Sequence, residues 1–191
     1  MEQHLHEAIE EGDEARVLSL VKNNPKLDVN WADVEQWPSL HVASFSGHVE
    51  VVKLLLAHPN IGVNRKTLIG QTPFSKGCEL GCVSAVRLLL KDPRVDVTLD
   101  DYDGCAPLWW ASGRGRYDVI EWLIASGRDL GDVKNKKGKW GHESHTALEI
   151  AKEEGHTEVE SVLENFMSNP AQTRQELRVK LGMLDALAAV R

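Results

Sequence analysis

The sequence predicts an all-α repeat solenoid, and three observations carry that prediction. A leucine-type position recurs at Leu5, Leu40, Phe74, Leu108 and Leu148, and a glycine follows each by seven residues, at Gly12, Gly47, Gly81, Gly115 and Gly155. Leu40, Phe74 and Leu108 are 34 residues apart, a period typical of stacked helical units. After each turn glycine, apolar residues gather at helical spacing, as in Val51-Val52-Lys53-Leu54-Leu55-Leu56. Each copy therefore reads as helix, glycine turn and second helix, joined to the next copy by a short hairpin loop.

Residues 1–30 form the first copy. Its acidic positions Glu2, Glu7, Glu10, Glu11, Asp13 and Glu14 suit the polar outer side of an N-terminal capping repeat. Residues 31–64, 65–98 and 99–132 form three further copies, entered through Pro38-Ser39, Thr72-Pro73 and Ala106-Pro107. Proline at the first helical position costs no intrahelical donor, and Thr72 is placed to cap the orphan amides of the helix it precedes. Pro25, Pro59 and Pro93 stop the second helices. Residues 133–169 carry the fifth copy, with an expanded hairpin from Lys134 to His145. Residues 170–191 read as a C-terminal amphipathic helix: Thr173 and Glu176 make a capping-box pattern, and Leu177, Leu181, Leu184 and Ala188 recur at helical spacing. That helix is expected to cap the fifth copy. The alternative is a structural or oligomerising module that offers this helix to a partner or to a second copy of the chain.

Leu40-His41-Val42-Ala43, the run Gly47-His48-Val49-Glu50-Val51-Val52-Lys53-Leu54-Leu55-Leu56 and the closing Val63-Asn64 resemble the ankyrin repeat, over roughly Leu5 to Phe166. The resemblance implies a curved solenoid of hairpins and helix–turn–helix units that binds proteins and does not catalyse. Two departures stand out. Pro38-Ser39 displaces the usual Thr-Pro, and the histidine slot of the motif holds Ser75, Trp109 and Glu149 in later copies, so the hydrogen bonds of that slot are expected to be lost there.

The resemblance also implies a concave groove, lined by hairpin tips and the outer side of the first helices. Its slots hold Val34, Glu35, Trp37, Val42, Phe45 and Ser46 in the second copy. They hold Leu68, Ile69, Gln71, Lys76, Glu79 and Leu80 in the third, and Tyr102, Asp103, Cys105, Trp110, Gly113 and Arg114 in the fourth. Contiguous exposed apolar and aromatic side chains mark partner sites, and Trp, Tyr and Arg dominate binding energy. Trp37, Tyr102, Trp110 and Arg114 are therefore the expected anchors, over a floor of Phe45, Leu68, Ile69 and Leu80. Replacing Trp37 and Trp110 with alanine is expected to abolish capture and leave stability unchanged.

Composition narrows the alternatives. Hydrophobic residues at 42% and charged residues at 27% describe a globular chain, and a formal charge of −7 argues against nucleic acid or an anionic membrane as partner. With no charged-then-apolar leader at Met1 and no long apolar run, the expectation is a cytoplasmic monomer that binds a protein. Cys78, Cys82 and Cys105 are an odd set for disulfides and read as reduced thiols. His142 and His145 have a ligand-like spacing but no cysteine nearby, and Lys134, Lys136, Lys137 and Lys139 read as a solvated finger. No phosphate-binding glycine loop or nucleophile elbow is present, so neither an enzyme nor a cofactor is expected.

Overall fold

The computed structural model describes residues 1–33 and 36–183. Five helical pairs follow in order: α1 (Glu2–Glu11) with α2 (Glu14–Asn23), α3 (Ser39–Ser46) with α4 (Val49–Leu56), α5 (Pro73–Leu80) with α6 (Val83–Lys91), α7 (Pro107–Gly113) with α8 (Tyr117–Ser126), and α9 (Ala147–Glu153) with α10 (Thr157–Ser168). A hairpin of β1 (Lys137–Trp140) and β2 (Glu143–Thr146) precedes α9, and α11 (Pro170–Lys180) closes the described chain. First helices stack on first helices and second on second, giving two layers: α1, α3, α5, α7 and α9 in one, α2, α4, α6, α8 and α10 in the other.

Each turn glycine sits in the left-handed region, with φ between 63° and 79°, a conformation that costs glycine nothing and lets the chain reverse between the two helices of a pair. Leu5, Leu40, Phe74 and Leu108 are buried in a core that runs the length of the stack, from Leu5 to Leu177. Thr72 and Thr146 cap α5 and α9 through their hydroxyls, and Thr146 with Glu149 forms a full capping box.

Two sets of hydrogen bonds tie neighbouring pairs. At the turn end, the residue eight after each leucine position reaches the carbonyl five after the previous one: His48 to Glu10 at 3.0 Å, Cys82 to Phe45 at 3.3 Å, Arg116 to Glu79 at 3.0 Å and His156 to Gly113 at 3.2 Å. At the loop end, the histidine slot reaches the carbonyl three before the next leucine position, His6 to Trp37 at 3.1 Å and His41 to Gln71 at 2.9 Å. Here the structure corrects the expected loss at Trp109. Its indole Nε1 donates to the His145 carbonyl at 2.7 Å, the equivalent acceptor, because the ring N–H of a tryptophan can stand in for an imidazole donor. At Ser75 the tie is absent, and its buried hydroxyl lacks a partner among the described residues.

The last helix also departs from expectation. It starts at Pro170 after Asn169, not at a Thr173 cap. Proline at the first position is pre-set for helix, so Thr173 falls inside and donates its hydroxyl to the Asn169 carbonyl at 3.0 Å. Leu177 is buried; Leu184 and Ala188 lie outside the described residues. α11 packs on α8 as well as on α10, not on the fifth pair alone. Arg174 and Arg178 donate to the Ile124 and Ala125 carbonyls at the end of α8, at 3.2 and 2.8 Å, where a helix has unpaired acceptors and a partial negative charge. Lys180 pairs with Glu121 of the same helix. Among the described residues no helix is long and apolar enough to cross a membrane.

Candidate interaction groove

Ahead of three of the helical pairs a backbone bond joins residues four apart: Asp33 to Trp37, Thr67 to Gln71 and Asp101 to Cys105. The last two of these segments touch, the Tyr102 amide donating to the Ile69 carbonyl at 3.1 Å. That contact brings three apolar side chains together in the open: Leu68 at 68% exposure, Ile69 at 55% and Tyr102 at 71%. Lys66 lies 5.7 Å from the Tyr102 ring centre. Gly70 makes the approach possible, since its φ is +86° and a Cβ there would stand 2.7 Å from the Tyr102 amide nitrogen. Gly70→Ala is expected to cost about 1–3 kcal/mol and to displace the Tyr102 turn, read as a lower melting temperature and a shifted Tyr102 ring signal by NMR.

Toward the N-terminal side, Trp37 packs edge-on to Phe45, with ring centres 5.6 Å apart, and Lys76 sits 5.5 Å from its centre. Both rings are half-buried. Behind them Glu79 is buried and accepts from Gln71 and Lys76, each at 2.9 Å, and from Arg114 at 3.3 Å. Burial works to raise its carboxyl, but the hydrogen bonds from Lys76 and Gln71, with the charges of Lys76 and Arg114, outweigh that and hold it below the usual carboxylate value. Lys76 and Glu79 fell in groove slots without being read as anchors; their i,i+3 spacing on one helix was the available signal.

Trp110 is not an exposed anchor. At 8% exposure it is buried between Trp109 and Trp140, with ring centres 5.3 and 5.8 Å away, and its Nε1 donates to Asp101 at 2.8 Å. The cause is the expanded hairpin, whose Trp140 lies over the groove face of α7 and takes the exposure, at 42%. Arg114 stays exposed, its guanidinium 5.7 Å from the Trp110 ring centre and 5.3 Å from that of Trp140. Val42 and Cys105, given groove slots by the resemblance, are buried, and Val34 and Glu35 lie outside the described residues. Leu80 is exposed but stands at the far end of α5, beside Gly81, Arg116 and Tyr117 at the turn end of the stack. It is a helix length, about 12 Å, from the tips of Leu68 and Tyr102.

The other chemistry-bearing side chains have structural surroundings. Cys78, Cys82 and Cys105 are free, and burial pushes the Cys105 thiol up to about 12. His142 is exposed at the hairpin tip, while His145 is paired with Glu153 at 2.9 Å. Among the described residues, no group of three His, Cys, Asp or Glu side chains is placed to hold a metal ion.

A family profile described as ankyrin repeats in three copies matches residues 2–67 and 60–137. Among curated proteins, the chain is 31% identical over 120 residues to alpha-latrotoxin-Lg1a of Latrodectus geometricus, a match covering 62% of this chain and 9% of that protein. It is 30% identical over 144 residues to SMC5-SMC6 complex localization factor protein 1 of Homo sapiens, covering 74% of this chain and 14% of that protein. Ankyrin repeat domain-containing protein 63 of Mus musculus is 35% identical over 108 residues, covering 53% of this chain and 25% of the relative. The chain thus spans only a small part of the length of these relatives.

Proposed function

The chain belongs to the ankyrin-repeat family, whose repeats are generally protein–protein interaction modules, and from that premise we propose that it captures a protein partner on the groove side of its second to fifth pairs. The reading needs neither catalysis nor a cofactor. It is carried by one observation: Leu68, Ile69 and Tyr102 are exposed together on two touching tips, and contiguous apolar side chains left open in this way are the usual mark of a partner site. Trp37 and Phe45 extend that surface on one side, Arg114 and Trp140 on the other, while Trp110 supports it from behind. Leu80 is left out, because its short side chain stays at the turn end of the helices beside Gly81, Arg116 and Tyr117, whereas Arg114, at the equivalent position at the end of α7, reaches back to Trp110 and Trp140. Within the described part of α11 Leu177 is buried inside the chain, so the exposed side chains of the hairpin tips favour the groove over the C-terminal helix as the binding surface.

The test is capture on immobilised protein carrying Ile69→Ser with Tyr102→Ala. Binding of the partner taken up by the unsubstituted chain should fall at least tenfold, with the melting temperature moved by no more than a few degrees, because both side chains are exposed. Undiminished capture would reject the groove.

A further inference from the structure

We propose that the groove is shaped for an extended segment bearing a single carboxylate side chain between apolar ones, and that Arg114 receives that carboxylate. The proposal rests on the protein-binding reading above and names the chemistry of the partner.

The argument is one of charge at the floor. The chain as a whole is acidic, with a formal charge of −7. On the helix face between Trp37 and Trp140, however, the most exposed charge is the Arg114 guanidinium. Glu79 is buried and takes up hydrogen bonds from three donors. Lys76 is mostly covered and holds Glu79 at 2.9 Å, so its charge is spent on that pair. Arg114 is different. Its contact with Glu79 is longer, at 3.3 Å, and its side chain is 43% exposed. A guanidinium carries five N–H donors, and among the described residues Glu79 is the single acceptor within hydrogen-bond distance of this one.

The indoles of Trp110 and Trp140 lie beside the guanidinium and restrict its motion, which lowers the entropy lost on binding. A planar guanidinium held in that way matches a carboxylate through two parallel N–H···O bonds.

The surroundings set the rest of the specification. Asp103 and Glu143 are exposed at the rim, and Glu154 stands on the wall of the small recess between Trp109, Trp110 and Trp140. No ion pair joins Glu154 to Arg114 among the described residues. These acids would repel a run of negative charge, so the segment carries one carboxylate and is otherwise apolar, to suit Trp37 and Phe45 on one side and Trp140 on the other. Neighbouring first helices pack about 10 Å apart, so the two steps from α3 to α7 span about 20 Å. Extended chain at about 3.3 Å per residue covers that with roughly six residues.

A phage-displayed library of random octapeptides, panned on the immobilised full chain, tests this directly. The expected outcome is an enriched sequence family with Asp or Glu fixed at one position and apolar residues at two or more flanking positions. Arg114→Gln should weaken binding of a selected synthetic peptide about tenfold and erase the acidic preference on re-panning, Arg114→Lys should restore part of it, and Glu154→Gln should tighten binding. Added salt should weaken the unsubstituted chain more than Arg114→Gln. Selected peptides that need Ile69 and Tyr102 but show no acidic position, or a Lys or Arg position instead, overturn this proposal and leave the groove standing. Peptides indifferent to Ile69, Tyr102 and Arg114 alike, or no enrichment at all, overturn both.

Discussion

Trp110→Ala should lower the unfolding free energy by about 3–5 kcal/mol, the range for emptying a buried large aromatic site. Two losses combine. The indole vacates a space closed by Trp109, Trp140 and Ile150, which the rigid hairpin and α9 cannot collapse to fill. Asp101 also loses the Trp110 donor to its Oδ2, while its Oδ1 still holds the amides of Asp103 and Cys105. A nearly buried carboxylate oxygen without its partner adds a desolvation cost. Urea denaturation followed by far-UV circular dichroism measures the change. Trp110→Phe should fall between the two chains, since it keeps most of the packing and loses only the hydrogen bond. A loss below about 1 kcal/mol for the alanine variant would contradict the packing described. The Trp37 and Trp110 double variant, expected from the sequence to bind nothing and melt normally, is thus a poor probe of binding.

Stability should fall in mild acid, and His41 should account for about 2 kcal/mol of the fall by pH 5 and about 3 by pH 4. Burial lowers its pKa from 6.5 to about 4; the Gln71 carbonyl acts against that, and the charge of Lys76 adds to it. The sign follows from which state takes up the proton. An unfolded chain protonates this imidazole near 6.5 and the folded chain only near 4, so between those values the unfolded state binds more protons. The stabilisation is complete above 6.5 and is lost as pH falls toward 4. Glu79, Asp92 and Asp96, whose carboxyls are held low in the fold, also lose stability on acidification. Comparing the unsubstituted chain with His41→Gln at pH 7.5 and pH 5 removes their contribution. The unsubstituted chain should lose about 2 kcal/mol more than the variant; equal losses would show that His41 titrates normally.

The fold was legible because its signals are local and repeated. Leucine and glycine seven apart in every copy, with proline at the entry of the second to fourth, fix helix, turn and stacking face, and the turn glycines all take the left-handed φ that the pattern demands. Exposure was legible only where it depends on a residue's own repeat, as at Leu68, Ile69 and Tyr102. Trp110 was misplaced because its burial is decided by Trp140, which arrives from an insertion that the repeat pattern does not describe. An isolated tryptophan among lysines and glycines in that insertion was the sign that something covers a neighbour. Trp109 shows the converse: the hydrogen bond of that slot asks for a ring N–H at the right reach, which a tryptophan supplies as well as a histidine. At α11 the Thr173 pattern competed with Asn169-Pro170, and the proline, which fixes backbone geometry outright, prevailed over a side-chain cap.

The arginine contacts from α11 to the end of α8 give the two ends of the stack different characters. A linear array in which every unit touches only its neighbours can peel from either terminus, one unit at a time. At the N-terminus that remains true, since among the described residues the first pair packs chiefly on the second. At the other end, the closing helix reaches past the fifth pair and fastens to the fourth, so α9 and α10 are bracketed and cannot leave while Arg174 and Arg178 hold. Opening from that side must release two units together, whereas opening from the other releases one. The molecule is a zip with a stop at one end.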